Sequence, residues 1–120
     1  MDQQADPAGP ATTALPVTTA FELQGWRIER QVGVCFGLVV RSVGLAKGVT
    51  GAFRSLKAGE VPQCTQLLED SRRHAMDRMM ENARLLGANA IIGMRFDSAE
   101  VADGLAEIVA YGTAVVATPG

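Results

Sequence analysis

Residues 86–97 have the sequence LGANAIIGMRFD, which joins the end of a helix to a strand. Before it, Gln66–Leu86 carries apolar side chains at helical spacing with charged side chains between them, which predicts an amphipathic helix. Gly87 follows directly, at the position where a left-handed residue ends many helices. Ala88–Asp97 is then predicted to be a strand, in which successive side chains point to opposite faces. The face predicted to be apolar carries Ala90, Ile92, Met94 and Phe96.

Two further strands are predicted, one before and one after this helix and strand. In Trp26–Arg41, apolar and polar residues alternate at first, and the later residues are almost all apolar. Gly33 and Gly37 lie within it, where glycine indicates a bulge or a close approach by another backbone. After a turn-like segment, Ser98–Gly104, residues Glu107–Thr118 form the last strand, which has no polar face.

The chain is predicted to form one α+β domain with an N-terminal tail. It has 120 residues, of which 48% are hydrophobic and 20% charged, and this suits one compact domain. We expect the proline-containing residues 1–11 to be a disordered tail and residues 12–118 to form the domain. A short edge strand is expected within Thr12–Thr19, and a short helix interrupted by glycines near residues 45–56.

The predicted strands have more apolar surface than one helix can cover. The last strand and Val32–Val40 are apolar on both faces, whereas one amphipathic helix covers one face of a small sheet. A lone subunit is therefore expected to leave Val109, Tyr111 and Val115 in water. A second copy of the chain, held by sheet edges and the apolar face of the last strand, is the favoured cover, and the alternative is that residues 45–56 fold back over the second face.

Gly93 and Gly112 are predicted to have a structural role. Each lies within an otherwise apolar strand, and the two strands are expected to be neighbours. A Cβ atom at either position would collide with a facing element. We expect alanine at either position to destabilise the fold or the assembly.

Charge and composition disfavour several classes of partner. Eleven Lys and Arg against thirteen Asp and Glu give a formal charge of -2, so no overall basic field favours nucleic acid or an anionic membrane surface. No apolar stretch reaches the roughly 20 residues of a transmembrane helix. Two cysteines and no secretory signal at the start of the sequence predict a reducing, cytoplasmic location.

Candidate catalytic and metal-binding side chains are few and lie far apart in the sequence. The single histidine, His74, lies on the predicted helix, with Asp70 one turn away as its only local carboxylate. Cys35 is expected to be buried, and Cys64 precedes the helix, where the helix dipole favours a thiolate. No phosphate-binding glycine loop or nucleophile elbow occurs. We therefore predict no catalytic residue and no cofactor.

An acidic set near the last turn is the remaining candidate. Glu100, Asp103 and Glu107 form either a cluster of oxygen ligands for a hard cation or a solvated turn. Glu107 opens an apolar strand and is expected to pair with Arg41 or Arg95. The weak candidates for a metal site are therefore Cys64, His74 and Glu107.

Four segments together resemble the YbjQ family of small bacterial proteins, over about residues 12–118. The pairing of the GANAIIGMRFD-type and AYGTAV-type segments is the specific part of the resemblance. The segments are Gly25–Ile28, Gly33–Gly37 with Val40–Ser42, Leu86–Asp97 and Ala110–Val115.

The resemblance implies a dodecin-like subunit, with an antiparallel sheet packed against one long helix. It also implies assembly into a ring, typically a pentamer. Members of the family are mostly uncharacterised and are classed as a heavy-metal-binding domain, so the resemblance supplies no catalytic residue to transfer.

Three functional hypotheses follow from the sequence. The leading one is a non-enzymatic cytoplasmic homo-oligomer that serves as a structural or small-ligand-binding module, with the chain itself as its main partner and a small ligand or metal ion as a further one. The second is sequestration of a metal or metabolite by sites repeated around the ring. An enzyme comes third, because Asp70 and His74 are the only local pair that resembles a base with its orienting partner.

Overall fold

The computed structural model describes residues 15–42 and 62–120, which form three strands and one helix. The antiparallel sheet has the order β1-β3-β2, and the helix packs on one of its faces. The α+β prediction is therefore confirmed. Residues 1–11, the start of the expected edge strand and residues 45–56 lie outside the described residues. The elements are β1 (Trp26–Ser42), α1 (Pro62–Leu85), β2 (Ala90–Ala102) and β3 (Leu105–Pro119).

The end of α1 is fixed by backbone hydrogen bonds around Gly87. The Ala88 N–H donates to the Ala83 carbonyl at 3.1 Å, and the Gly87 N–H donates to the Arg84 carbonyl at 2.9 Å. This is the Schellman pattern, in which the first of the two donor residues adopts a left-handed conformation. Gly87 has a φ of 92°, so the predicted helix stop is confirmed. The helix starts earlier than predicted, at Pro62.

The core lies between α1 and the sheet, and Gly37 allows the two backbones to approach closely. A Cβ atom on Gly37 would overlap the Ala75 carbonyl oxygen and the Met79 amide nitrogen, and would lie 2.7 Å from the Cβ atom of Arg78. Small residues on both elements thus bring α1 down onto β1. The residues buried around this contact include Cys35, Val39, Ala75, Met79, Ala83, Ile108, Ala110 and Ala114.

A bulge at Gly93 divides β2 between the two faces of the sheet. Ile92 lies opposite Thr113 and Arg95 opposite Tyr111, so two β2 residues stand against one residue of β3. Gly93 adopts a φ of 63°, which favours glycine. The prediction of one continuous apolar face on β2 is therefore wrong. Ile91 and Met94 join the core under α1, whereas Ala90 and Ile92 belong to a second cluster on the other face.

The β2–β3 hairpin is tighter than predicted. β2 continues to Ala102 and β3 starts at Leu105, so the turn consists of Asp103 and Gly104. Asp-Gly is a favoured pair in two-residue hairpin turns, and Gly104 has a φ of 72°. The predicted turn over Ser98–Gly104 is therefore wrong, because polar residues also occur in strands that extend beyond the core.

An N-terminal arm, residues 15–25, runs along the first half of β2. Val17 bridges Ile91 in parallel, the Ile91 N–H donates to the Pro16 carbonyl at 3.0 Å, and the Met94 N–H donates to the Thr18 carbonyl at 3.0 Å. Leu23 of the arm packs against the second cluster, in which Val115 is fully buried. The expectation that Val115 is left in water is therefore wrong, since residues of the same chain cover it.

Gly93 and Gly112 both lie where a Cβ atom would meet close neighbours. At Gly112 it would lie 2.8 Å from the Ile91 Cγ2 atom and 3.0 Å from the Ile92 carbonyl oxygen. At Gly93 it would lie 2.9 Å from the Phe21 ring, which is exposed and free to shift. The geometry thus gives Gly112 a packing role and Gly93 mainly a conformational one.

Alanine at Gly37 is expected to lower the free energy of unfolding by about 2–3 kcal/mol, because its Cβ atom meets helix backbone that cannot rotate away. Gly112→Ala should have a smaller effect, since its Cβ atom would lie 2.8 Å from the Ile91 Cγ2 atom and 3.0 Å from the Ile92 carbonyl oxygen, where the Gly37 Cβ atom would overlap helix backbone. Gln31→Ala is the control in the same strand, because Gln31 is exposed and its substitution adds no atom against the helix. Urea denaturation followed by circular dichroism measures the three values. Equal losses in Gly37→Ala and Gln31→Ala would contradict the close-approach argument.

Candidate functional site

The sheet face opposite α1 carries a contiguous set of exposed apolar side chains, which we call the open face. In β1, side chains alternate between the core under α1 and this face. Tyr111 lies opposite Phe36 in β3, so the two strands contribute to the same surface. The side chains of the open face are Val34 (70% exposed), Phe36 (55%), Leu38 (39%), Val40 (53%) and Tyr111 (38%).

The open face lies mainly on β1. The sequence pattern predicted two apolar faces for both Val32–Val40 and the last strand, with Val109, Tyr111 and Val115 as the residues left in water. Of these, Tyr111 is exposed, Val109 is half-buried and Val115 is buried. The near-continuous apolar sequence of β1 was the signal for this surface. It could not show which of the alternate residues point away from the helix.

His74 contacts a cation and not a carboxylate. Its Nδ1 atom lies 3.1 Å from Nη2 of Arg41, and since a guanidinium can only donate, Nδ1 accepts this hydrogen bond. Arg41 Nε also donates to the buried Ser71 hydroxyl at 3.0 Å. Asp70 accepts a hydrogen bond from Gln66 at 3.1 Å and lies 3.6 Å from Arg73. Asp70, the only local carboxylate that the sequence offered as an orienting partner for His74, therefore has other partners in the described structure.

Glu107 lies on the open face and has no basic partner among the described residues. It stands opposite Val40 in β1 and is half-buried. Arg41 points to the other face of the sheet, toward Ser71, because it follows Val40 in the strand. Arg95 donates to the Thr19 carbonyl at 2.9 Å and the Met94 carbonyl at 2.8 Å. The predicted ion pair of Glu107 with either arginine is therefore wrong.

The two cysteines do not form a described site. Cys35 is 2% exposed, and its thiol donates to the Gly112 carbonyl, with a Sγ–O distance of 3.6 Å. Burial raises the pKa of this thiol, so at neutral pH it remains protonated and unreactive. Cys64 lies in the first turn of α1, and its side chain lies outside the described residues.

A shallow groove of about 310 Å³ runs between the outer edge of β1 and α1, and we call it the edge groove. The Asn82 side chain crosses it and donates from Nδ2 to the Phe36 carbonyl oxygen at 2.7 Å. Sequence reasoning missed this groove, because it forms only where the helix lies along a strand edge. Its lining residues are Phe36, Leu38, Arg78, Glu81 and Asn82.

Comparison with protein families identifies the chain's relatives. The family model YbjQ_1, described as "Putative heavy-metal-binding", matches residues 15–118. The chain belongs to the YbjQ family. A UPF0145 protein of Bradyrhizobium sp. is 50% identical over 103 residues, covering 86% of this chain and 93% of the relative. A UPF0145 protein of Sulfurisphaera tokodaii is 49% identical over 102 residues, covering 85% and 90%. The family therefore extends from bacteria into archaea.

A solved structure shares the fold. It is the crystal structure of a protein of unknown function from Pediococcus pentosaceus, assigned to the DUF74 family. Its TM-score is 0.52 at 19% sequence identity, and the match covers 85% of this chain and 96% of that one. At this identity the likeness concerns the fold alone. In the described parts of the YbjQ chain, no helix has both the length and the apolar character that a membrane crossing requires.

A heavy-metal site, as the family description implies, requires suitable donor atoms close together in this chain. Tight zinc or copper sites need several thiolates or imidazoles around one ion. Within residues 15–42 and 62–120, no three side chains of His, Cys, Asp or Glu come together in a way that could hold a metal. The described residues of one subunit therefore do not fit a heavy-metal site.

The buried thiol predicts a pH dependence of stability. Because the pKa of Cys35 is raised in the folded state, the unfolded chain ionises first, at about 8.5. The stability contributed by the neutral thiol is complete below that pH and is lost as the pH rises through the folded pKa. The test compares Cys64→Ser with Cys35→Ala/Cys64→Ser. From pH 8 to 10 the free energy of unfolding should fall more steeply in the variant that keeps Cys35. The two slopes should differ by at most about 1.4 kcal/mol per pH unit. Parallel slopes in urea titrations would contradict this.

Purified protein is expected to contain no stoichiometric Zn²⁺ or Cu²⁺, because the candidate ligands do not converge in the described structure. Elemental analysis of the assembled protein measures this directly. About one transition-metal ion per subunit, lost in Cys64→Ala or His74→Ala protein, would overturn the prediction. Glu107→Gln is a control for binding by oxygen ligands.

Proposed function

We propose that this YbjQ-family protein is a non-enzymatic subunit that assembles with copies of itself in the cytoplasm. We propose a pentameric, dodecin-like ring as the assembled form, serving as a structural or small-ligand-binding module. The observation that carries the proposal is the open face, whose five large apolar side chains lie in water in the single chain. Contiguous apolar surface of this kind is typical of protein interfaces.

The energetics favour burial of this face in an assembly. Full burial of a side chain such as Phe36 or Leu38 contributes roughly 1.5–3 kcal/mol. Several such side chains from each of two copies can outweigh the association cost of about 4–15 kcal/mol. Glu107, beside Val40 on this face, would lie at such an interface, so the assembly is expected to supply the basic or hydrogen-bonding partner that the described part of one chain does not.

The chemistry of the described residues supports a module more than an enzyme. The buried Ser71 donates to the Leu67 carbonyl at 2.8 Å, so its hydroxyl proton is not directed at His74. His74 accepts from Arg41, which leaves it no orienting carboxylate. The names of the curated relatives carry no enzyme activity.

The family description favours a second candidate, which is sequestration of a metal ion or metabolite. Since one subunit's described residues do not form a metal site, ligands would have to come together from several copies around the ring. Elemental analysis of the assembled protein distinguishes this candidate from a purely structural module.

Phe36→Asp is expected to abolish assembly, because it places a charge at the centre of the open face. Light scattering after size exclusion at micromolar concentration should show a multimer for the native protein and a folded monomer for the variant. Leu68→Asp is the matched control, since Leu68 is 42% exposed but lies on α1. A native protein that is monomeric at this concentration would overturn the proposal.

A further inference from the structure

We propose that the outer edge of β1 in one copy pairs with the outer half of β2, Asp97–Ala102, in the next copy. The contact is head-to-tail, because it joins two different edges of the same sheet, and it adds the partner's strand alongside Leu38–Ser42. This inference rests on the proposed self-assembly and specifies which strand edges meet, in addition to the contact made by the open face.

The outer edge of β1 has backbone groups available for pairing. β1 is an edge strand, and among the described residues no strand lies on its outer side. The Phe36 carbonyl accepts from the Asn82 side chain on α1, so it points away from β3. Peptide groups alternate in direction along a strand, which gives Leu38 and Val40 the same outward orientation. Within the described part of the chain, Asn82 contacts this edge at Phe36, and the edge then continues to Ser42.

Among residues 15–42 and 62–120, those that cover the β2 edge lie along its first half. The arm bonds to the backbone of Ile91, Gly93 and Met94. Beyond Met94, no described residue pairs with the outer side of β2, and every residue of Asp97–Ala102 is exposed. Unpaired strand edges of this length are sites of strand addition from another chain.

The two free segments lie at the same level of the sheet. Leu38 and Asp97 both stand opposite Val109 of β3, and Val40 and Ala99 both stand opposite Glu107. Since β1 and β2 are each antiparallel to β3, they are parallel to each other. In a ring whose axis runs parallel to these strands, rotation from one copy to the next involves no shift along them. For such a ring we expect Ala99 of one copy to lie level with Val40 of the next.

The charges on the two segments are opposite in sign. Arg78 lines the edge groove and takes part in no ion pair within the described residues, and Arg41 lies at the end of β1. The outer half of β2 and its turn carry Asp97, Glu100 and Asp103. Pairing two β2 edges would bring the acidic groups together, whereas the head-to-tail contact joins acidic to basic groups. Charge therefore favours a second copy in this orientation.

A cysteine pair tests this contact directly. Val40 and Ala99 share the open face and the same level, so Val40→Cys and Ala99→Cys should form a disulfide between copies. Within one chain, β3 separates the two positions by about 9.6 Å, which is too far for a disulfide. Both substitutions are made in a Cys64→Ser background, so the buried Cys35 is the one native thiol that remains.

After mild oxidation, non-reducing electrophoresis should show a ladder of linked copies. The matched control pairs Val40→Cys with Ser98→Cys, which points to the opposite face of the strand. The test pair should cross-link about tenfold more than this control, because adjacent strands hold the thiols at high effective concentration. Light scattering and circular dichroism on the reduced variants report assembly and folding.

The outcomes separate this inference from the proposed function. A ladder specific to Val40→Cys with Ala99→Cys supports the contact. A multimer that cross-links no more than the control overturns the proposed contact and leaves self-assembly standing. Efficient cross-linking of Val40→Cys without Ala99→Cys has the same meaning, because it would indicate that two β1 edges meet. A folded native monomer overturns both proposals.

Discussion

The close approach of α1 to β1 at Gly37 constrains the rest of the described structure. Helix backbone atoms occupy the space in which a side chain at Gly37 would lie, so α1 sits low over β1 and covers Cys35 and Val39. The alternate residues of the strand must then face away from the helix. Because those residues are also apolar, covering one face of β1 leaves the other face exposed. The open face is thus a direct consequence of the contact that forms the core.

The bulge at Gly93 has a comparable effect on β2. One extra residue exchanges the faces on which later side chains lie, so that Met94 reaches the core under α1 while Arg95 projects from the opposite face. The arm crosses at this point, and Arg95 donates to the Thr19 carbonyl, which holds the arm against β2. The arm therefore protects the first half of the β2 edge, and none of the described residues pairs with the second half.

The fold also separates the few side chains that could bind a metal. Cys35 points into the core, His74 lies on the helix against Arg41, and Glu107 lies on the open face of the sheet. A helix and the two faces of a sheet are separated by packed layers, so these donors cannot converge on one ion within the described part of a subunit.

The sequence by itself determined α1, its end at Gly87, and the apolar character of β1 and β3. These features depend on local signals: helical periodicity, a left-handed glycine and runs of apolar residues. Only the tertiary structure decided the face of each β2 residue, the partners of Arg41 and Glu107, and the burial of Val115. A bulge shifts every later residue to the other face, and long side chains bond to whatever the neighbouring element presents. Such contacts depend on how elements pack and not on sequence spacing.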